Sequence, residues 1–402
     1  MPPSSSRQHS FTFRLIVLLG SLSALTALST DIYLPALSSV GENLNATSLE
    51  LQLTLGIFLI GYGFGQLFFG PLSDSLGRRP VLLFGIYLYT IASIACALST
   101  HIDFLILNRL LQALGGCATA VTTRAIVRDS SEGIQTTQIL SNILAVVQIG
   151  PLIAPLIGGA ILLFFLWQGT FIALGLFGLI LISLSHLWIR ESHPIKKRQP
   201  LNLTNVVSGY IETLSNRNIA LLLSAEIAIS LIILSFVTSS SLLLSNYYQL
   251  SPQQFGLLFT IIATSLLVGS FFNNLLLNTK DVKWLISAFL SIGTLSAIAL
   301  LFIALLIPEN LVLIIVGIWF CLMPCIALRS NYVSLGLQYI PERSGTVSAL
   351  FGAFGLGVGG IVAVVISQFD HFTPLILASL ILSGFILSSL IYSVWRVQKH
   401  HH

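Results

Sequence analysis

Charged residues are scarce in this chain of 402 residues, where they account for 8% of positions against 55% for hydrophobic residues. A soluble domain usually carries about a quarter charged residues, so this chain has too few to cover a surface in contact with water. Its four cysteines all fall inside apolar segments, which excludes a disulfide framework and a metal-binding spacing motif. A nucleotide-binding phosphate loop is also absent, which excludes ATP as the energy source. These absences predict a membrane protein that has no cofactor and no metal and is not an enzyme.

Long apolar runs account for most of the chain. A helix needs about 20 apolar residues to cross a bilayer, and twelve runs of about that length occur. The runs lack the alternation of a barrel strand, so the predicted fold class is an all-α membrane protein. The predicted spans are 13–37, 49–73, 80–99, 103–127, 137–163, 167–189, 217–247, 252–277, 281–307, 310–338, 342–369 and 372–396. They divide into two six-helix bundles at 13–189 and 217–396, a basic linker at 190–216, and tails at 1–12 and 397–402, where the final histidines are either native or the remnant of a tag.

The basic residues are segregated along the chain, which predicts its orientation. All Lys and Arg residues except Arg109 and Arg329 fall in the two tails or near alternate connections between the spans. The remaining connections hold no Lys or Arg and carry Glu42, Glu50, Asp103, Glu309 and Asp370. Because basic residues stay on the cytoplasmic side of a membrane, both termini are predicted to be cytoplasmic. Nucleic acid is not a predicted partner, since the positive charge follows the membrane topology.

Four charged residues remain well inside the predicted spans: Asp31, Arg109, Glu226 and Arg329, on helices 1, 4, 7 and 10. A charge at the centre of a membrane helix costs about 2.5–3.5 kcal/mol, so each needs a partner, water or a function. Counting residues along the helices predicts two partnerships at equal depth, Asp31 with Arg109 and Glu226 with Arg329, either directly or through water. Two interpretations remain open. The pairs hold each bundle together, or one acid changes protonation during transport, with Asp31 as the first candidate and Glu226 as the second.

Four short segments carry distinctive patterns. Residues 30–36 read TDIYLPA, 70–80 read GPLSDSLGRRP, 109–116 read RLLQALGG and 150–159 read GPLIAPLIGG. These strings resemble motifs of the major facilitator superfamily and, within it, of the Bcr/CflA-type drug:proton antiporters with twelve helices. The resemblance implies a major facilitator fold with alternating access, in a monomer of the bacterial inner membrane. It also implies proton-driven export of small amphipathic compounds, such as drugs, antibiotics or a siderophore-like metabolite.

The resemblance assigns roles to individual residues. For the connection between helices 2 and 3 it implies an inner gate made by Gly70, Asp74, Gly77, Arg78 and Arg79. For helix 4 it implies proton coupling through Arg109 and Gln112, and it places Asp31 at the acidic position of the first segment. For helix 5 it implies the antiporter motif, which favours export over uptake and consists of Gly150, Pro151, Pro155, Gly158 and Gly159.

The substrate site is less defined by the sequence. An apolar cavity with few fixed charges suits drug-sized amphipathic molecules, and helix position and depth make Tyr33, Asn331 and Tyr332 its candidate lining. Residues 355–360, GLGVGG, contain a formal dinucleotide-type glycine pattern, but inside a membrane helix it predicts close helix packing instead. Two rival functions remain: an uptake symporter or facilitator on the same fold, and a membrane receptor that binds a ligand without moving it.

Overall fold

The computed structural model describes residues 12–198, 200–369 and 371–398, and within them twelve helices are long and apolar enough to cross a membrane. Helices 1 to 12 are Phe13–Leu44, Ser48–Leu76, Arg78–Ala97, Ile102–Ser130, Gly133–Phe164, Gln168–Trp188, Arg217–Tyr247, Pro252–Leu277, Val282–Leu306, Leu311–Tyr339, Pro341–Ser367 and Pro374–Val397. The predicted number of spans is confirmed, and each predicted span overlaps one helix. Of the predicted tails, residues 1–11 and 399–402 lie outside the described residues, as does Asp370.

Local signals in the sequence set the helix boundaries. Helix 2 begins with a capping box, in which the Thr47 hydroxyl accepts from the Glu50 amide and the Glu50 carboxylate accepts from the Thr47 amide. The same helix ends at Gly77, whose φ of +103° is a conformation that only glycine adopts readily. Helix 3 starts at the next residue, Arg78. The chain therefore reverses direction at Gly77, and this reversal fixes the position of the arginines that follow.

Two elements differ from the predicted spans. Helix 1 continues beyond residue 37 to Leu44, but its regular α-helix stops at Asp31 and a 3₁₀ turn follows at Leu34–Ala36. Pro35 explains the break, because its ring clashes with the carbonyl four residues earlier and it has no amide hydrogen to donate. The predicted linker also contains a helix of its own, Leu203–Ser215, which we call the linker helix.

The two ends of the helix bundle differ in charge. At one end, an ion pair between Arg78 and Asp129 at 2.8 Å joins the start of helix 3 to the end of helix 4. At the same end, an ion pair between Arg343 and Glu212 at 2.7 Å joins the start of helix 11 to the linker helix. We call this the basic end. The connections at the opposite, acidic end carry Glu42, Glu50, Asp103 and Glu309.

Helices 2 and 11 join the first six helices to the last six through backbone contact. A Cβ atom on Gly63 would lie 2.5 Å from the Ala353 carbonyl oxygen and 2.7 Å from the Gly357 nitrogen, which is closer than real Cβ contacts come. Near the acidic end of the same seam, a Cβ on Gly56 would lie 3.2 Å from the Gly360 Cα. The glycine pattern at 355–360 therefore serves close helix packing, as predicted.

The close contact at Gly63 predicts that alanine substitution affects stability differently at two glycines of helix 2. Gly63→Ala is expected to destabilise the protein by about 1–3 kcal/mol, because its methyl group meets backbone that does not yield. Gly70→Ala, where nothing lies within 4 Å of the added atom, is expected to leave stability unchanged or raise it slightly through helix propensity. Thermal unfolding of both variants in detergent measures the difference, and equal melting temperatures would contradict the packing.

Candidate functional site

Arg109 lies at the centre of the first six helices with no exposed surface. Its guanidinium donates to the carbonyl oxygens of Ser29 at 3.1 Å and Thr54 at 3.3 Å, and to Oε1 of Gln112 at 2.7 Å. Its central carbon lies 4.1 Å from the ring centroid of Phe58, a cation–π contact. A cation on helix 4 is thus held by helices 1 and 2 and by its own neighbour Gln112, without a carboxylate among the described residues.

The direct form of the predicted pairing of Asp31 with Arg109 is wrong in this conformation. Asp31 is 6% exposed and forms no ion pair within the described part of the chain. The reason is that Asp31 faces a different direction around the axis of helix 1. Ser29 faces Arg109 through its carbonyl and Tyr89 of helix 3 through its hydroxyl, whereas Asp31 follows about 200° further around the helix. Equal depth therefore did not imply equal direction.

Asp31 lies on the side of helix 1 that packs against helix 5. A Cβ on Gly150 would lie 3.5 Å from Ala27 Cβ and 3.9 Å from Leu28 Cδ2, and Asp31 follows these residues by one turn. About two turns further along helix 5, a Cβ on Gly158 would collide with the carbonyl of Ile32, the residue that follows Asp31. The buried acid is therefore placed beside the glycines of the helix 5 segment.

The predicted pairing of Glu226 with Arg329 is confirmed. Arg329 Nε donates to Glu226 Oε1 at 2.7 Å, and Ser230 donates to the same oxygen at 2.8 Å. The Glu226 side chain is 1% exposed and that of Arg329 is 24% exposed, so the acid is the more deeply buried partner. Glu226 Oε2 has no hydrogen-bond partner within the described residues. Gly355 of helix 11 leaves room for the pair, since a Cβ there would lie 2.7 Å from Glu226 Oε1.

The helix 5 segment contacts both halves of the molecule. Besides its contact with helix 1, a Cβ on Gly159 would lie 2.6 Å from the Pro252 carbonyl of helix 8, and one on Gly256 would lie 2.5 Å from the Pro155 carbonyl. Thr260 of helix 8 also donates to the Leu152 carbonyl at 2.8 Å. These contacts lie toward the acidic end of both helices. Both prolines, Pro151 and Pro155, lie inside helix 5.

Next to this contact, a cavity of about 800 Å³ opens at the acidic end. Beside this cavity, Ser38 of helix 1 donates to Asn246 Oδ1 of helix 7 at 3.1 Å. Glu42 and Trp167 also line it, and Trp167 donates to the side chain of Asn43 at 3.1 Å. We call this cavity the vestibule. It was not predicted from the sequence, because its polar residues lie at the ends of helices and form no motif.

The segment 70–80 forms an ionic network at the basic end. Arg78 contacts Asp74 at 2.5 Å and Asp129 at 2.8 Å, and donates to the Ser73 hydroxyl at 2.7 Å. Its backbone amide donates to Glu191 at 3.0 Å. Asp74 lies four residues before Arg78 in the sequence, whereas Asp129 and Glu191 lie far away in the sequence and were not anticipated.

The neighbouring positions complete this network. Arg79 donates through Nε to the Ile189 carbonyl at 2.9 Å, which joins helix 3 to the end of helix 6. Glu191 receives Arg198 at 3.1 Å beside Gly77, where any side chain would collide with both. Gly70, in contrast, faces open space. Residues 77–79 therefore tie the ends of helices 2 and 3 to the start of the linker.

Asp129→Asn is expected to lower the free energy of unfolding by about 1–3 kcal/mol, because it weakens the charged partner of the nearly buried Arg78. Glu132→Gln provides a matched control, since Glu132 is exposed three residues away and enters none of the ion pairs of the described residues. The comparison is made by thermal unfolding. Equal melting temperatures for the two variants would show that the network is not stabilising.

The three candidate substrate residues are buried within their own halves. Tyr33 hydrogen-bonds the Thr54 hydroxyl at 3.0 Å and Asn331 donates to Asn273 at 2.9 Å. Tyr332 hydrogen-bonds Ser388 of helix 12 at 3.0 Å and so faces the interior of the last six helices. None of the three lines the vestibule at the acidic end.

Comparison with known proteins relates nearly the whole chain to transporters. Residues 19–364 match the family model described as Major Facilitator Superfamily. The chain is 28% identical over 361 residues to the bicyclomycin resistance protein homolog of Haemophilus influenzae, with 90% of each chain covered. It is 31% identical over 354 residues to the uncharacterized MFS-type transporter YdgK of Bacillus subtilis, with 87% of each covered. Its fold is similar to a bacterial homolog of the human lysosomal transporter Spinster, inward-facing and occupied, at a TM-score of 0.72, 13% identity and 96% coverage of each chain.

Proposed function

This chain belongs to the Major Facilitator Superfamily as a multi-pass transporter related to drug-resistance proteins, and we propose that it exports small amphipathic compounds in exchange for protons. In this proposal, 13–189 and 217–396 are the two bundles that move relative to each other, joined by the linker 190–216. The protein works as a monomer in a bacterial inner membrane. Substrate, protons and the lipid bilayer are its partners.

Charge asymmetry supports the orientation. The basic end faces the cytoplasm in this proposal, because Lys and Arg resist translocation across the membrane. Both termini then lie in the cytoplasm, the 70–80 network lies at the inner gate, and the acidic vestibule opens to the outside. The helix 5 and helix 8 contact closes the outer side of the pathway between the halves.

A single observation carries the proton-coupling part of the proposal. Asp31 is buried in a membrane helix with no cation beside it among the described residues. A carboxylate without a partner is costly in such a place, so the neutral, proton-bearing form fits this surrounding better than the charged form. The buried acid therefore serves as the proton carrier of the exchange.

The proton affects the substrate path through helix 5. When Asp31 is charged, it needs water or a cation, and the tight contact between helices 1 and 5 provides neither. Loss of the proton toward the cytoplasm is thus coupled to movement of the helix 5 glycines that contact helices 1 and 8. The second pair supports this role, since the unpartnered Glu226 Oε2 offers another position for a proton, with Arg329 beside it.

Transport in cells tests the proposal. A bacterial strain without its own efflux pumps, expressing this chain, is expected to accumulate less of an amphipathic dye and to survive more bicyclomycin than the same strain with an empty vector. A protonophore is expected to remove the difference. Increased accumulation would indicate uptake instead of export. Binding of a compound in purified protein without any change in its accumulation would indicate a receptor.

A further inference from the structure

A cavity of about 310 Å³ opens at the basic end between helices 2, 4 and 11 and the linker helix. Both halves of the molecule line it, with Gly70 and Arg124 from the first half, Thr346 from the second and Tyr210 from the linker helix. A Cβ on Gly70 or on Gly345 would meet no atom within 4 Å. The cavity is therefore large enough for a small polar group and the water around it.

The charges in this cavity are only partly compensated. Arg78 is neutralised by Asp74 at 2.5 Å and Asp129 at 2.8 Å. Arg124 and Arg128 instead donate to neutral oxygens, at 3.4 and 3.5 Å, and neither lies within ion-pair distance of a carboxylate in the described residues. Two arginines on one face of helix 4, one turn apart, thus form no direct ion pair, and the two carboxylates that line the same cavity, Asp74 and Asp129, are both engaged by Arg78.

Helix 11 adds further donors on the opposite wall. Its α-helix begins at Ser344, whose amide donates to the Pro341 carbonyl of the preceding 3₁₀ turn, and Arg343 provides no side-chain cap. The first amides of a helix have no acceptor within it, and they carry a partial positive charge. Gly345 and Thr346, in this first turn, line the cavity. The cavity therefore has two guanidinium groups on one side and the first turn of the helix 11 α-helix, without a side-chain cap, on the other.

We propose that this cavity binds a phosphate-type oxyanion between Arg124, Arg128 and the start of helix 11. Arginine forks and helix N-termini both match the oxygens of a phosphate group, and here they face one cavity. Bound there, the anion joins helix 4 of the first half to helix 11 of the second and stabilises this arrangement of the basic end. The phosphate group belongs either to the headgroup of an anionic phospholipid or to free inorganic phosphate.

Thermal unfolding of the purified chain in phosphate-free detergent tests the proposal. One arm adds sodium phosphate against sodium chloride of equal ionic strength, and the other adds phosphatidylglycerol against net-neutral phosphatidylcholine. The Arg124→Gln/Arg128→Gln variant is expected to bind at least about tenfold more weakly than wild type. Lys280→Gln/Lys283→Gln removes the same charge from the basic end, away from the cavity, and is expected to bind as wild type does.

Each outcome bears on the proposal. Stabilisation by phosphate that the arginine variant loses and the lysine variant keeps supports a site for free anion. The same pattern with phosphatidylglycerol alone supports a headgroup site. No stabilisation in either arm, or equal loss in both variants, overturns it. Arg124→Lys/Arg128→Lys keeps the charge without the planar fork, so it folds with the wild-type charge balance and is expected to bind with intermediate affinity.

Discussion

Arg109→Met is expected to abolish transport while leaving the protein folded and at least as thermally stable as wild type. Arg109 is fully buried and has no carboxylate partner in the described residues, so its charge is held only by carbonyl oxygens, Gln112 and aromatic rings. A buried ion in this position costs stability, and its replacement by an apolar side chain of similar volume is often neutral or stabilising. We therefore expect Arg109 to serve transport, from its position between Ser29 of helix 1, Thr54 of helix 2 and Gln112.

Two measurements on one preparation test this expectation. The melting temperature in detergent reports folding, and substrate transport in proteoliposomes reports function. Leu110→Met is the matched control, because it places the same side chain one residue further along helix 4, where the native residue is already apolar. Transport that survives in Arg109→Met would contradict the role of Arg109. A large loss of stability would show instead that the arginine holds the four helices together.

The Glu226 and Arg329 pair is expected to respond asymmetrically to the loss of either partner. Arg329→Gln leaves a carboxylate that is 1% exposed without its cation, which costs about 3–5 kcal/mol. Glu226→Gln leaves an arginine that is 24% exposed and therefore less completely buried, so its cost is expected to be smaller. The double variant is expected to recover part of the loss, because neither partner then remains alone.

Melting temperatures of the three variants in detergent, each compared with wild type, measure this asymmetry. The largest decrease is expected for Arg329→Gln, because it leaves the more deeply buried partner alone. A larger decrease for Glu226→Gln than for Arg329→Gln would contradict a buried carboxylate at this site.

The sequence predicted the features that depend on position along a helix. Twelve apolar runs predicted twelve helices, and depth alone predicted the pairing of Glu226 with Arg329. The depth of a residue follows from the rise of 1.5 Å per residue along its helix and requires no knowledge of the neighbouring helices. The glycines at 355–360 were likewise readable as close packing, because small residues inside an apolar run have few other reasons to occur.

Features that depend on direction around a helix were not readable. Asp31 and Arg109 share a depth but not a direction, so the direct ion pair predicted between them does not form. Tyr332 was placed in the pathway by depth, yet it faces Ser388 within its own half. The contact between Arg78 and Asp129 was missed for another reason, since Asp129 lies 51 residues away and no local pattern indicates it.

Proton release from inverted membrane vesicles tests the central claim, exchange of substrate for a proton on Asp31, most directly. The vesicles hold an acidic interior, a pH-sensitive dye inside reports the loss of protons, and an amphipathic substrate is then added outside. Wild type and Asp103→Asn, which removes an exposed acid at the acidic end, are expected to release protons when substrate enters. Asp31→Asn is expected to release none while still exchanging labelled for unlabelled substrate. Substrate-triggered release that persists in Asp31→Asn would contradict the account.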